Sequence, residues 1–500
     1  MIGNIIVATV LVHLFTALLL LAFWRKTVTQ RILSIAGSIT GLGFAISLFN
    51  RVLNGPILTM NASNWEAPFG IVFVADQMSA TFVLLTAIVA LAVSIFSATG
   101  VGKARMLYGY FPIFHFLIMG LNGAFLTGDI FNLYVWFEVI IISSFVLLTL
   151  GGRKAQLEGA VKYMTLNILA STFFLTGIGI LYGITGTLNM ADLSQKILLV
   201  EDPTIVNLTA LFFVIGFGIK AALFPLYFWL PSSYHTPPSA VAAVFGGLLT
   251  KVGIYGFLRV FTLIFVPDDS IRFLLMGIGI MTILTGAFGA VIKNDLRRIF
   301  SYLIVCHLGF VIGGLALFSE LAFTGLVFYL IHDIIIKSNL FLVSGLIRQF
   351  RGSTNMSRLG GLYEQYPKIS LLIAIVLFSL AGIPPLSGFW PKVYLFDAGF
   401  QSRNYLYLIG IIFGSLVTLY LMARIWSEVF WKRFPSEENA INRFETLPWY
   451  RKTLLIVPIG ILAFTSLFIG LNAELIIQVA SKIAGEMADT SHYIEAVLGK

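Results

Sequence analysis

About fourteen stretches of ~20 apolar residues fill most of this chain. A helix rises about 1.5 Å per residue, so each stretch is long enough to cross the hydrocarbon core of a bilayer. The pattern predicts an all-α polytopic membrane protein with about 14 transmembrane helices. The spans are placed near residues 2–24, 31–51, 76–99, 109–127, 129–150, 161–185, 206–230, 238–266, 271–292, 299–318, 321–346, 370–400, 405–430 and 453–472. Composition agrees: 58% of residues are hydrophobic and 11% charged, against about 25% charged in a soluble domain.

The net charge of +9 follows the topology of the loops. Arg25, Lys26 and Arg31 follow the first span, Lys103 and Arg105 the third, and Arg153, Lys154 and Lys162 the fifth. Lys293, Arg297 and Arg298 follow the ninth, Arg348, Arg351, Arg358 and Lys368 the eleventh, and Lys432, Arg433, Arg443, Arg451 and Lys452 the thirteenth. The alternate loops hold acids such as Glu201, Asp202, Asp268, Asp269 and Glu320. Basic loops stay in the cytoplasm, so both termini are expected outside it, in a multi-pass protein of the cell's inner (plasma) membrane. The first apolar run is long enough to span and has no basic flank before it, so it is not expected to be a cleaved signal peptide.

Several ionisable residues are stranded inside these spans. Glu138 lies in FNLYVWFEVIIISSF, Lys220 in FFVIGFGIKAALFP, Lys251 in FGGLLTKVGIYGF and Lys337 in LIHDIIIKSNLF, while Lys392 follows AGIPPLSGFW. A charge at the bilayer centre costs roughly 2.5–3.5 kcal/mol on insertion scales, and groups that expensive normally line ion or proton paths. Four such lysines, each without a partner, would together cost on the order of 10–14 kcal/mol, comparable to the whole stability of a domain.

Other chemistries find no support. The one cysteine, Cys306, allows no intrachain disulfide and no cluster ligation. The six histidines are scattered, and there is no HExxH pair, Walker loop or dinucleotide fingerprint. No cofactor, metal or nucleic-acid partner is expected, and no catalytic chemistry of the chain's own.

Two helices carry matched interruptions. The seventh span has Pro225 five residues after Lys220, and the twelfth has Pro384 and Pro385 between Gly382 and Gly388, just before Lys392. Proline removes a donor and clashes with the preceding turn. A pair of broken helices, each bearing a lysine, points to an inverted repeat with its site near the midplane. The expected organisation is helices 1–3 in 1–108, a first repeat of helices 4–8 in 109–266, a second of helices 9–13 in 267–430, and helix 14 with a C-terminal segment in 431–500. That last segment has near-helical apolar spacing and is expected to lie on the outer surface or against a partner. The eleventh span is expected to be irregular, interrupted by His332, Asp333, Lys337, Ser338 and Asn339.

These motifs resemble a known family. PLYFWLPSSYHTPPSAVAAVFGGLLTKVGIYGFLR is similar to the signature of the antiporter-like proton-translocating subunits of respiratory complex I, membrane-bound hydrogenases and Mrp-type multisubunit sodium/proton antiporters. FNLYVWFE, NDLRRIFSYLIVCHLG, IKSNLFLVSG and GIPPLSGFWPK continue the match over most of residues 76–430. The compact length, the FNLYVWFEV wording and a lysine at 392 resemble the Mrp branch most. The resemblance implies that Glu138 is the essential glutamate of the fifth span, Lys220 its partner, Lys251 the central lysine of the eighth and Lys392 the terminal lysine of the twelfth. His235 matches a histidine of the loop before span eight. Two positions depart: Tyr227 stands where many relatives have histidine, and the position often held by histidine near Lys337 falls on Asp333, beside His332.

The expected function is a proton-translocating subunit of a multisubunit cation (sodium)/proton antiporter. Protons would follow Glu138, Lys220, Lys251, His332/Asp333/Lys337 and Lys392, joined by water, with His235 as an uptake relay. Its partners would be other membrane subunits, protons and sodium ions, and the lipid bilayer. Two alternatives stand beside it: the same module in a redox-driven complex, and a scaffold subunit without transport. Glu138 and Lys220 are expected to pair directly, since at ~4 Å and an effective dielectric of ~20 the attraction is about 4 kcal/mol. Lys392 is expected to reach Asp397. His307, His13 and His115 read as buried hydrogen-bonded residues, and Asp76 and Asp129 as acids at helix starts.

Overall fold

The computed structural model describes residues 4–435 and 442–499. Twelve of its helices are long and apolar enough to cross a bilayer, and two shorter apolar ones, Tyr110–Leu126 and Pro367–Ala381, stand where the other two spans were expected. The spans are α1 (Asn4–Ala22), α2 (Thr27–Leu53), α3 (Gln77–Gly100), α4 (Tyr110–Leu126), α5 (Ile130–Thr149), α6 (Lys154–Thr185) and α7 (Pro203–Lys220). Then follow α8 (Ser239–Leu263), α9 (Asp269–Val291), α10 (Leu296–Leu317), α11 (Glu320–Arg351), α12 (Pro367–Ala381), α13 (Tyr405–Trp426) and α14 (Trp449–Leu471).

Burial divides these helices into a centre and a ring. In α8 and α11 the apolar stretch is buried throughout, and in α10 nearly so. The long α3 and the short α4 are also mostly buried, whereas the remaining spans bury one face and expose large apolar side chains such as Phe15, Ile142, Phe273 and Phe464, as a lipid-facing surface requires. The tightest pairing joins α9 to α10. A Cβ on Gly286 would meet the Cys306 backbone, and one on Gly309 would meet the carbonyl of Gly279. Small residues here let two backbones touch, the usual means of packing helices in lipid.

The two halves share a hydrogen-bonded latch. Ile130 N–H donates to Leu188 C=O and Met190 N–H to Gly128 C=O, each at 2.9 Å. Leu296 N–H donates to Thr354 C=O at 3.0 Å and Met356 N–H to Asn294 C=O at 2.9 Å in the same pattern. In both places an aspartate caps the following helix: Asp129 accepts from Asn132 N–H, and Asp295 from Arg297 and Arg298 N–H.

Both expected breaks are present. The seventh span stops at Lys220 and resumes at Trp229, and the twelfth stops at Ala381 and resumes at Phe389, running to Gln401. The eleventh span corrects the sequence reading. It is one continuous helix of 32 residues, because His332, Asp333 and Asn339 find side-chain or backbone partners on other elements and leave its own ladder intact. The irregularity falls in α8, where Phe245–Leu249 forms a turn of π-helix. A short hairpin of β1 (Leu58–Asn61) and β2 (Val72–Ala75) between α2 and α3 was not foreseen.

The C-terminal segment forms α15 (Ala473–Ala488) and α16 (Ser491–Leu498). It lies against this chain itself: α15 buries Ala480, Ile483, Ala484 and Met487 and packs on α11, while α16 reaches the hairpin and the short helix Met190–Lys196. Lys482 Nζ donates to the last carbonyl of α2, Leu53, at 3.2 Å. Beneath this strap Asp76, the N-cap of α3, pairs with Arg259 of α8 at 2.6 Å, and Arg259 also donates to Tyr255 and lies over the Tyr493 ring.

Glu486 of α15 lines the same small cavity as Asp76, Arg259, Asp489, His492 and Tyr493. Burial, then the Asp76 carboxylate, pushes its carboxyl up to about 8, against the opposing pull of Arg259 and Lys482. A raised folded-state value means that protonation favours the docked strap. That stabilisation is complete below the ordinary glutamate range and is lost as pH rises through about 8. Backbone amide exchange in 473–498 should therefore quicken between pH 6 and pH 9 beyond its intrinsic pH dependence, and Glu486→Gln should flatten that excess. An equal excess in both proteins would remove Glu486 as the cause.

Candidate functional site

The ammonium groups of both lysines of the broken helices lie at the C-terminal end of a half-helix, where carbonyls without intrahelical partners make the local field negative. Lys220 is the last residue of α7. In that break the Trp229 indole donates to Ile219 C=O at 3.0 Å, and Thr282 Oγ accepts from Phe224 N–H at 2.9 Å. Lys392 lies beyond its break and reaches back across it. Its Nζ donates to Ala381 C=O at 3.0 Å and to Leu380 C=O at 3.4 Å. The expected Lys392–Asp397 pair is not formed. Five residues along a helix turn Asp397 to another face, helical side chains lean toward the N-terminus, and Asp397 accepts from Gln401 instead.

The expected direct Glu138–Lys220 pair is also corrected. Ser171 of α6 stands between them: its Oγ donates to Glu138 Oε1 at 2.5 Å and accepts from Lys220 Nζ at 3.3 Å. Lys220 also lies 4.8 Å from the centre of the Phe137 ring. Glu138 is half-buried and Lys220 buried. Beside Lys220, a cavity of about 20 Å³ reaches Leu249, Val252 and Gly253 of α8, enough for one water. The missing side chain of Gly253 permits this approach, since a Cβ there would meet Ala221 N at 2.8 Å.

The centre of the site lies on α8, α10 and α11. Lys251 Nζ pairs with Asp333 Oδ2 at 2.6 Å and donates to Gly246 C=O at 3.0 Å, within the π-turn. Asp333 Oδ1 lies 3.6 Å from His307 Nδ1 and 3.9 Å from Lys337 Nζ. His307 Nε2 contacts Thr418 Oγ of α13 at 3.0 Å. All four ionisable groups are buried, and one carboxylate serves two lysines. Lys337 Nζ has no hydrogen-bond partner among the described residues.

His332, next to Asp333, faces the twelfth-span break. Its Nδ1 contacts Ser387 Oγ at 2.7 Å, which continues through Ser466 at 2.8 Å to Ser379 at 3.1 Å. The structure thus assembles three groups: Glu138–Ser171–Lys220; Lys251–Asp333–His307–Lys337; and His332 with its serines beside the Lys392 break.

His235 stands apart, in the loop before α8. Its Nδ1 lies 2.9 Å from Pro231 C=O and its Nε2 3.3 Å from Arg298 Nη2. Since a carbonyl can only accept and a guanidinium only donate, the network assigns the proton to Nδ1. Burial and the Arg298 charge hold His235 below its ordinary value. It lines a cavity of about 260 Å³ with Glu158, Lys162, Lys293, Arg298 and Tyr302.

Sequence reasoning missed Ser171 and underweighted His307. A serine in an apolar helix usually bonds its own backbone, so nothing marked Ser171. His13 and His115 face each other at 3.0 Å, away from these groups. Asp76 and Asp129 cap their helices as expected.

Fold and site together define an all-α, multi-pass membrane protein with a file of ionisable side chains through its interior. Residues 127–418 match the family described as NADH:quinone oxidoreductase/Mrp antiporter, transmembrane part, and the chain belongs to it. It is 39% identical over 497 residues to a protein of Alkalihalophilus pseudofirmus named as the D subunit of a Na(+)/H(+) antiporter, and 38% identical over 498 residues to the Bacillus subtilis protein of the same name, with 99% of every chain covered. It superposes on a chain of the Mrp complex from a Dietzia species with a TM-score of 0.90, at 29% identity and covering 99% of this chain and 100% of that one. A chain of the membrane-bound sulfane sulfur reductase, an archaeal respiratory membrane complex, shares the fold at a TM-score of 0.88 and 24% identity, with 99% of each covered.

Proposed function

We propose that this chain is the D-type subunit of an Mrp-type multisubunit sodium/proton antiporter and moves protons through its own interior. The observation that carries the reading is the central cluster, in which Asp333 holds Lys251 at 2.6 Å and Lys337 at 3.9 Å out of reach of solvent. Two ammonium groups and one carboxylate hold one proton more than neutrality allows, and an uncompensated buried charge is costly. That surplus proton is the one to pass on. The path runs from the basic face past His235 to Lys220, whose charge is steadied by Glu138 through Ser171. It crosses the one-water cavity at α8 to Lys251, follows the Asp333 cluster and the His332 serine relay, and leaves at Lys392. Bridging waters complete the links.

The domain plan is 109–266 and 267–430 as inverted repeats, supported by the recurring latch and the two breaks. Both termini face away from the cytoplasm, and the membrane is the plasma membrane. A redox-driven complex of the same family would use the same parts. The 38–39% relatives, named as antiporter subunits, favour antiport.

The test is accessibility from two sides. In the assembled complex, cysteine at 220 should react with a membrane-impermeant thiol reagent from the basic face, and cysteine at 392 from the opposite one, in a Cys306→Ser background. Labelling of both from one face would refute two half-channels meeting at the centre.

A further inference from the structure

Five arginines converge on one cavity at the basic face. Arg105 (in the short helix Lys103–Leu107), Arg153 (the N-cap of α6), Arg297 (the first turn of α10), Arg348 (the last turn of α11) and Arg443 (before α14) line a space of about 220 Å³. No carboxylate lines it among the described residues. Elsewhere the chain answers exposed lysines with acids one turn away, as in Lys162–Glu158 and Lys432–Glu428. Here none of the five arginines forms an ion pair among the described residues.

Two of them are held in place by the fold. Arg297 is 3% exposed and donates to Pro237 C=O at 2.9 Å, Ser344 Oγ at 3.2 Å and Ser239. Arg105 Nε donates to Leu150 C=O at 3.0 Å. Burial, with Arg153 and Arg348 beside it, holds the Arg105 guanidinium below its ordinary value, a sign that the like charges feel one another. Arg153, Arg348 and Arg443 line the same space. The cavity lies where the spans end.

We propose that this cavity binds a phosphate-bearing anion that ties the ends of α6, α10 and α11 together. Guanidinium groups match phosphate with paired N–H donors, and basic pockets between spans on the cytoplasmic side are where anionic lipid headgroups bind. The phosphate can belong to an anionic phospholipid or be free in solution.

The intact complex is purified, and its retained phospholipid is measured by native mass spectrometry. Its thermal unfolding is followed with added inorganic phosphate, and in bilayers of phosphatidylglycerol or of phosphatidylcholine. Phospholipid retained by the parent and reduced at least tenfold in Arg153→Gln/Arg348→Gln, with no response to inorganic phosphate, supports the site with a lipid as its source. A midpoint raised by inorganic phosphate in the parent and not in the variant supports it with the free anion as its source. Arg153→Lys/Arg348→Lys keeps the charge and loses the fork, and should bind at an intermediate level. Glu437 and Glu438 stand close to Arg443 in the sequence. If neither phosphate source shifts the parent, or if binding appears only in Glu437→Gln/Glu438→Gln, those acids are the counter-charge and the proposal is overturned.

Discussion

On the proposed function, Glu138→Gln will abolish proton-coupled cation exchange while the complex still assembles. Glutamine keeps the length of the side chain and can still accept from Ser171, which now contacts Glu138 at 2.5 Å. What disappears is the charge. Lys220 lies 3.3 Å beyond that serine, so the two ionised groups are at most roughly 6 Å apart. At an effective dielectric of ~20 their attraction is on the order of 3 kcal/mol. Without it Lys220, the first lysine of the proposed path, loses the counter-charge that offsets its burial. Ser171→Ala leaves both charges and removes only the bridge, so it should slow exchange by roughly ten- to a hundredfold, in line with a charge-assisted bond of ~1.5–3 kcal/mol. Exchange is read in everted vesicles after confirming subunit content. Parental rates in Glu138→Gln would show that this acid does not govern the path.

Asp333→Asn has the second large effect, and it falls on stability as well as transport. The substitution leaves Lys251 and Lys337 in a buried pocket without their carboxylate. Removing one partner from a buried ion pair costs ~3–5 kcal/mol, so the purified complex should unfold at a clearly lower temperature, and exchange should be lost. Adding Lys251→Met takes away the stranded charge and should restore much of the thermal stability without restoring exchange. That split separates a group that merely holds helices together from one that carries protons. A double variant that regained exchange would make the Lys251–Asp333 pair structural.

The costly residues were legible from the sequence, and their partners were not. An apolar run containing Lys251 says at once that the ammonium needs company. Its acid, Asp333, is three spans away, and helical spacing does not say which turn of α11 faces which turn of α8. The same gap explains Lys392. Local spacing offered Asp397, while the break itself supplied two carbonyls that no pattern of side chains reveals. The prolines marked both interruptions correctly because they act on their own backbone. The polar run in α11 misled for the opposite reason: its side chains are satisfied by neighbours, so the helix had no need to open. Ser171 and His307 were hard to see because small or neutral polar residues carry no insertion penalty large enough to advertise them.

The contact of Lys392 with Leu380 and Ala381 has a mechanical side. The ammonium acts as a staple across the gap between two half-helices, holding shut a seam that backbone bonds alone leave open. Its grip depends on its charge. If Lys392 releases its proton, as the proposed path requires, the neutral amine would bind those carbonyls weakly and water would take its place, so the seam would loosen as the site empties and tighten as it refills. On that proposal, occupancy by a single proton sets the width of its own doorway.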